Sequence, residues 1–107
     1  MKNKWRYIIS SNLEGEENMA IDGALLNQIG KGESPPTIRI YTWSPPAITI
    51  GYFQKSGIET NEEACQKDGI PVIRRITGGG AVFHDHEITY SLQASLTCYL
   101  DCFLYLF

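Results

Sequence analysis

The residues best suited to chemistry stand together in one stretch, Arg74-Arg75-Ile76-Thr77-Gly78-Gly79-Gly80-Ala81-Val82-Phe83-His84-Asp85. Adjacent guanidinium groups each offer a planar fork of donors that matches a carboxylate or a phosphate. Three consecutive glycines remove every Cβ, so the backbone can take positive φ and lie against a ligand. Arg74, Arg75, Gly78, Gly79 and Gly80 together read as a site for an anion whose remainder rests on bare backbone. The same residues admit a plainer reading, a bulge or tight hairpin with an arginine pair facing solvent. His84 taken alone suits a hydrogen bond within a sheet. Neither a dinucleotide fingerprint nor a P-loop is present, because the glycines are not spaced and no Lys-Ser/Thr follows them. No catalytic residue and no metal ligand stands out.

The elements around this stretch must position it. Trp5–Ser10 has the aromatic and β-branched content of a first strand. Acidic Glu16 and Glu17 open a helix predicted over 16–29, with Ile21, Leu25 and Ile29 recurring every four residues and Gly30-Lys31-Gly32 stopping it. Asn18 and Asp22 lie one turn apart on it. Asp22 is open to two readings, a ligand-facing carboxylate or one that is solvated or locally hydrogen-bonded. Thr37–Trp43 alternates, with Ile38 and Ile40 on one face and Arg39, Tyr41 and Trp43 on the other. Ser44-Pro45-Pro46 forms a rigid turn before Ala47–Ile50, and the two strands are expected to pair antiparallel. Tyr41, Trp43, Tyr52 and Phe53 either line an apolar channel or form ordinary core. Thr60 and Glu63 fit a capping box for a short helix over 61–68, with Cys65 a small buried hydrophobe inside it. Residues 71–77 feed the glycines, 81–83 leave them, and 87–93 alternates with Ile88, Tyr90 and Leu92 on one side.

With 107 residues and a formal net charge of -3, the chain makes at most one domain. Lys and Arg form no extended stripe, so nucleic acid is not the expected partner, and the local positive spot favours one small anion. The cysteines at 65, 98 and 102 make no disulfide framework, and a zinc reading of the last two lacks a second ligand pair. No stretch approaches the roughly 20 apolar residues that span a bilayer, and the apolar run near the N-terminus is too short for a signal peptide. A cytoplasmic location with no membrane partner is expected. From Leu96 the sequence is almost wholly apolar, which divides the chain into residues 1–95 and a tail, 96–107. The tail has two readings, a last core strand or, the favoured one, a chain cut short or read out of frame after Ser95.

Three segments, in this order and spacing, resemble the lipoate-protein ligase and octanoyltransferase branch of the biotin/lipoate protein ligase superfamily. They are Asn18-Met19-Ala20-Ile21-Asp22 with Ala24-Leu25-Leu26, then Arg39 through Gln54, then Arg74 through Asp85. The resemblance covers about residues 5–95, less than half of a family catalytic domain. It agrees with an α+β fold, a mixed and mostly antiparallel sheet with helices 16–29 and 61–68 on one face. It implies that Arg74 and Arg75 approach a carboxylate or phosphate, that Gly78, Gly79 and Gly80 close on an acyl chain or acyl-adenylate, and that His84 and Asp85 shape the far side. The implied activity is attachment of lipoate or octanoate to the lysine of a lipoyl carrier domain, in a 2-oxoacid dehydrogenase complex or the glycine cleavage H protein, with acyl carrier protein a further partner.

Fixed cations would stabilise charge on an adenylate's phosphate, and ATP and Mg belong to the ligase branch. The octanoyltransferase branch instead carries the acyl group on a cysteine. Glu87-Ile88-Thr89-Tyr90-Ser91 looks like the transferase side and the unbroken Gly78–Asp85 run like the ligase side, so the branch stays open. The family's essential lysine lies downstream of the matched segments, and the last lysine here is Lys67. A chain without it is expected to be impaired in activation. The alternative is a non-catalytic fragment that binds an acyl group or pairs with a second chain.

Overall fold

A computed structural model of the chain describes residues 4–95 in full and, beyond them, the backbone of the strand Cys102–Leu106. The expectations for residues 1–3, 96–101 and 107, Cys98 among them, lie outside the described residues. In chain order the elements are β1 (Arg6–Leu13), α1 (Gly15–Gly30), β2 (Thr37–Trp43), β3 (Ala47–Ile50), α2 (Glu62–Lys67), β4 (Val72–Arg74), β5 (Val82–His84), β6 (Thr89–Ser95) and β7 (Cys102–Leu106). The α+β class is as expected. Its strands form two sheets, one in the order β1-β2-β6-β7 and one in the order β4-β3-β5. Three of the pairings are antiparallel, β2–β6, β6–β7 and β3–β5, and two are parallel, β1–β2 and β3–β4.

One expected pairing fails. β2 and β3 do not form a hairpin across Ser44-Pro45-Pro46, because β2 already has β1 and β6 on its two edges and β3 has β4 and β5. The proline turn instead carries the chain from one sheet to the other. α1 lies across both, meeting β2, β6 and β7 of the larger sheet and β3 and β4 of the smaller. The core around Tyr41, Trp43 and Ala47, with Met19 and Ile73 packed against it, sits at this junction. The capping box is a second correction. Asn61, not Thr60, caps α2, its side chain accepting from the Ala64 N–H at 3.0 Å. Asn and Thr both cap well, and a one-residue shift keeps the cap while dropping the Thr60–Glu63 pairing.

The larger sheet inverts the usual sidedness. Its face toward α1 is the polar one: Thr37, Arg39, Thr89, Ser91 and Gln93 are all fully buried. On the opposite face the strand register makes two apolar rows, Tyr7–Ile38–Leu92 and Ile9–Ile40–Tyr90. Tyr7 and Ile9 remain 62% and 65% exposed there. Alternation located both faces of β2 correctly but is blind to which one turns inward. A contiguous apolar face of this kind favours association. The chain is expected to self-associate in sedimentation velocity, and Ile9→Thr with Ile38→Thr to return it toward monomer with little change in thermal midpoint. Unchanged association in the double variant would place the adhesive surface elsewhere.

Candidate functional site

The glycine connection is held from beneath by Arg75. Its guanidinium is buried, and its Nη2 donates to the carbonyls of Gly78 at 2.9 Å and Gly80 at 2.8 Å while Nη1 donates to Thr49 Oγ1 at 2.8 Å. Backbone bonds prolong the β3–β4 ladder into the same region, Arg75 N–H to Ile50 O at 2.8 Å and Tyr52 N–H to Thr77 O at 2.9 Å. A trans peptide points its C=O and N–H in opposite directions. With the Gly78 and Gly80 carbonyls turned in to Arg75, the N–H groups of Gly79 and Ala81 point away from it, on a stretch that is exposed from Gly78 through Ala81. Two outward N–H groups above a buried cation are donors of the kind that suit an oxygen anion or a polarised carbonyl.

Within the triplet only Gly79 takes positive φ, 99°. A Cβ on Gly51 would stand 2.1 Å from the Gly79 carbonyl oxygen, so the two backbones touch there. Arg74, by contrast, is exposed, and its Nη1 donates to the carbonyls of Gly51 at 3.3 Å and Tyr52 at 2.9 Å and to that of Gln54. The arginine pair thus holds one loop each, Arg74 the 51–54 loop and Arg75 the 78–80 loop.

His84 joins this loop to the larger sheet. Its ring stacks on Trp43, centroids 4.0 Å apart. Nε2 lies 2.8 Å from Thr49 Oγ1 and Nδ1 lies 3.0 Å from Glu87 Oε2. Thr89 Oγ1 donates to the same Glu87 oxygen at 2.6 Å and accepts from Trp43 Nε1 at 2.8 Å. Burial pushes the Glu87 carboxyl up, but hydrogen bonds from Thr89 and His84 outweigh it and hold the group below the usual carboxylate range. Burial lowers the pKa of Arg75. Among the described residues no carboxylate forms an ion pair with it.

A second polar cluster lies between α1 and the larger sheet. Asp22 accepts from Arg39 Nη1 at 3.1 Å, Tyr41 Oη at 2.7 Å, Ser91 Oγ at 2.8 Å and Gln93 Nε2 at 3.3 Å. Asn18 accepts from Arg39 Nη2 and donates to the Thr42 carbonyl at 3.0 Å. Burial, then the neighbouring Asp22 charge, raises the Tyr41 hydroxyl far above its ordinary value. Asp22 is accordingly a buried structural acceptor, which neither of its two readings described. A charged Arg39 between two isoleucines of a strand, following a helix with Asn-x3-Asp spacing, was the available signal.

The structure gathers Arg74, Arg75, Gly78, Gly79, Gly80 and His84 around the ends of β3, β4 and β5. Asp85 stands apart in the next turn, half-buried, with Oδ1 3.8 Å from the exposed His86. Thr49, Gly51 and Glu87 belong to the assembly but were not among the candidate site residues: a Thr and a Gly inside a strand-like run carry no local signal of their partners, and Glu87 entered only within the Glu87–Ser91 branch cue. Tyr41 and Trp43 are core, whereas Tyr52 and Phe53 are exposed and meet edge to face at 5.1 Å. Among the described residues no three His, Cys, Asp or Glu side chains gather as metal ligands, and no helix is long and apolar enough to cross a membrane.

Residues 14–102 match the family described as lipoyl protein ligase A/B catalytic domain. The octanoyltransferase LipM of Brevibacillus brevis is 48% identical over 92 residues, covering 86% of this chain and 33% of that protein. Protein Ta0514 of T. acidophilum, solved with bound lipoic acid, superposes with a TM-score of 0.76 at 30% identity, covering 91% of this chain and 39% of that one. The bi-partite lipoate protein ligase of Thermoplasma acidophilum, studied with its E2 lipoyl domain, gives 0.67 at 26% identity, covering 92% and 39%. The chain spans about a third of the length of the curated relatives it matches.

Proposed function

The chain belongs to the lipoyl protein ligase A/B catalytic-domain family, and from that premise we propose that its arginine-glycine loop binds the carbonyl end of an octanoyl or lipoyl group destined for the lysine of a lipoyl carrier domain. The observation that carries this reading is the pair of outward N–H groups at Gly79 and Ala81, set by the inward carbonyls of Gly78 and Gly80 on Arg75. Such donors favour an oxygen that gains negative charge during acyl transfer. Arg74 contributes a cation at the exposed side, and Arg75 shapes the loop. Exposed Ile76, Val82 and Phe83 flank it and cover the acyl chain, each buried CH2 being worth about 0.8 kcal/mol.

The transferase branch is favoured over the ligase branch, because relatives near half identity to this chain are octanoyltransferases. Its acyl donor would be acyl carrier protein, its acceptor a lipoyl domain or the glycine cleavage H protein, and neither ATP nor Mg is assigned a step. No residue of this chain is assigned the nucleophile or the essential lysine; its part is to bind and orient the acyl group. A second reading is a non-catalytic acyl-binding half that pairs with another chain. The exposed apolar sheet face and the likeness to a bi-partite ligase favour it.

Thermal unfolding of the purified chain titrated with octanoate and lipoate tests the site. A hundredfold excess over Kd is expected to stabilise by about 2.7 kcal/mol, and Arg74→Ala to remove most of that shift. A transition that neither ligand moves would sink the acyl-binding reading. Octanoyl transfer to a lipoyl domain only on addition of a second chain would favour the pairing reading.

A further inference from the structure

For a neutral His84 ring the hydrogen bonds around it have one consistent direction. Glu87 holds its carboxylate below the usual range and so accepts only, which places the imidazole proton on Nδ1. Nε2 is then an acceptor, and the Thr49 hydroxyl, already accepting from Arg75 Nη1, donates to it. Arg75 in turn grips the carbonyls of Gly78 and Gly80. The donors run Arg75 to Thr49 to His84 to Glu87, from a buried cation without an ion-pair partner among the described residues to a carboxylate three hydrogen bonds away. Every group between the loop and Glu87 is fixed by the one behind it. Thr49 is fully buried, His84 is stacked on Trp43, and Glu87 is held by Thr89.

We propose that Thr49, His84 and Glu87 are positioning residues for the 78–80 loop, acting through Arg75, with the His84 ring proton on Nδ1 and Nε2 accepting from Thr49. Glu87 selects the tautomer, the tautomer directs the Thr49 hydroxyl, and Thr49 fixes the guanidinium that orients the two glycine carbonyls. Without Glu87 the imidazole can carry its proton on Nε2. Thr49 then faces two donors, its own proton loses the imidazole acceptor, and the hold on Arg75 loosens. That the positioned loop receives an acyl group rests on the function proposed above; the relay does not.

The test uses the full chain with nitrogen-15 NMR. The His84 side chain is expected to show a protonated Nδ1 and a bare Nε2. Gly79 and Gly80 amides are expected near the rigid-backbone order parameter of about 0.85, falling toward about 0.6 in Glu87→Ala and in Thr49→Val. The fall should be confined to the loop, with β3 and β5 amides unchanged, and Thr49→Ser should restore rigidity by returning the hydroxyl. A merely structural threonine would loosen the whole small sheet or nothing. An Nε2–H tautomer in the unsubstituted chain, loop order unaffected by Thr49→Val, or a failure of Thr49→Ser to restore it would each overturn the relay. Should Thr49→Val not fold, the tautomer and the Thr49→Ser measurement still decide. Octanoate titration of the same samples separates the two claims: loosening without octanoate binding in any sample upholds the relay and rejects the acyl site.

Discussion

Asp22→Ala is expected to abolish the cooperative unfolding transition at 25 °C. Asp22 is 2% exposed and accepts four hydrogen bonds, from Arg39, Tyr41, Ser91 and Gln93. Truncation takes the acceptor from the Tyr41 and Ser91 hydroxyls and, most costly, leaves the fully buried Arg39 guanidinium without its carboxylate, held only by neutral oxygens of Asn18 and Ser10, while Gln93 keeps its bond to Ser91. Removing one partner of a buried ion pair costs about 3–5 kcal/mol, and each orphaned neutral donor about 1–3 kcal/mol more. Domains of this size are stable by about 5–15 kcal/mol, so the sum is comparable with the whole. Asp22→Asn keeps the shape and one acceptor and should give an intermediate loss. Because the penalty arises from the stranded guanidinium, Asp22→Leu with Arg39→Met should recover more stability than either change alone. Urea denaturation followed by circular dichroism decides the matter, and a wild-type midpoint for Asp22→Ala would refute the account.

This cluster also marks where reading the sequence stopped. The helix over 16–29 was legible because an apolar repeat and a glycine stop agree, and α1 extends it by one residue at each end. Thr37–Trp43 and Ala47–Ile50 were legible to the residue because alternation and proline boundaries coincide there. β4 is shorter than the expected 71–77, at Val72–Arg74, and β5 is offset by one residue, at Val82–His84. Partnership was not legible. Local pattern fixes which side chains share a face of β2, but the burial of Arg39 depends on Asp22, seventeen residues away on another element. The arginine pair was found by residue type. That Arg75 would spend its donors on its own loop, with Arg74 holding the 51–54 loop, follows only from the distances. The glycine triplet was found for the right reason in one position of three, the positive φ of Gly79.

Glycine at position 51 is expected to matter more to the site than glycine at position 78, although only the latter lies in the conspicuous triplet. An added Cβ at Gly51 would meet the Gly79 carbonyl oxygen at 2.1 Å, with the Gly79 carbonyl carbon and nitrogen at 3.0 and 3.1 Å. The obstacle is backbone and cannot rotate aside. Gly79 is itself constrained, by its positive φ and by the Arg75 Nη2 that lies 3.3 Å from where its own Cβ would stand. Gly51→Ala must therefore push the loop off Arg75 or displace the end of β3. Overpacking of this kind costs about 1–3 kcal/mol, which the chain can survive while the Gly79 and Ala81 N–H groups lose their alignment. Gly78 has open space within 4 Å of its Cβ position and no positive φ, so Gly78→Ala should leave stability nearly unchanged. Thermal unfolding with and without octanoate separates the two. Gly51→Ala should remain folded with a lowered midpoint and at least about a tenfold loss of octanoate affinity, since the donors that meet the carbonyl would no longer converge. Gly78→Ala should keep most of the ligand shift. Equal behaviour of the two variants would mean that the contact between the Gly51 and Gly79 backbones does not set the loop, and that its shape comes from Arg75 alone.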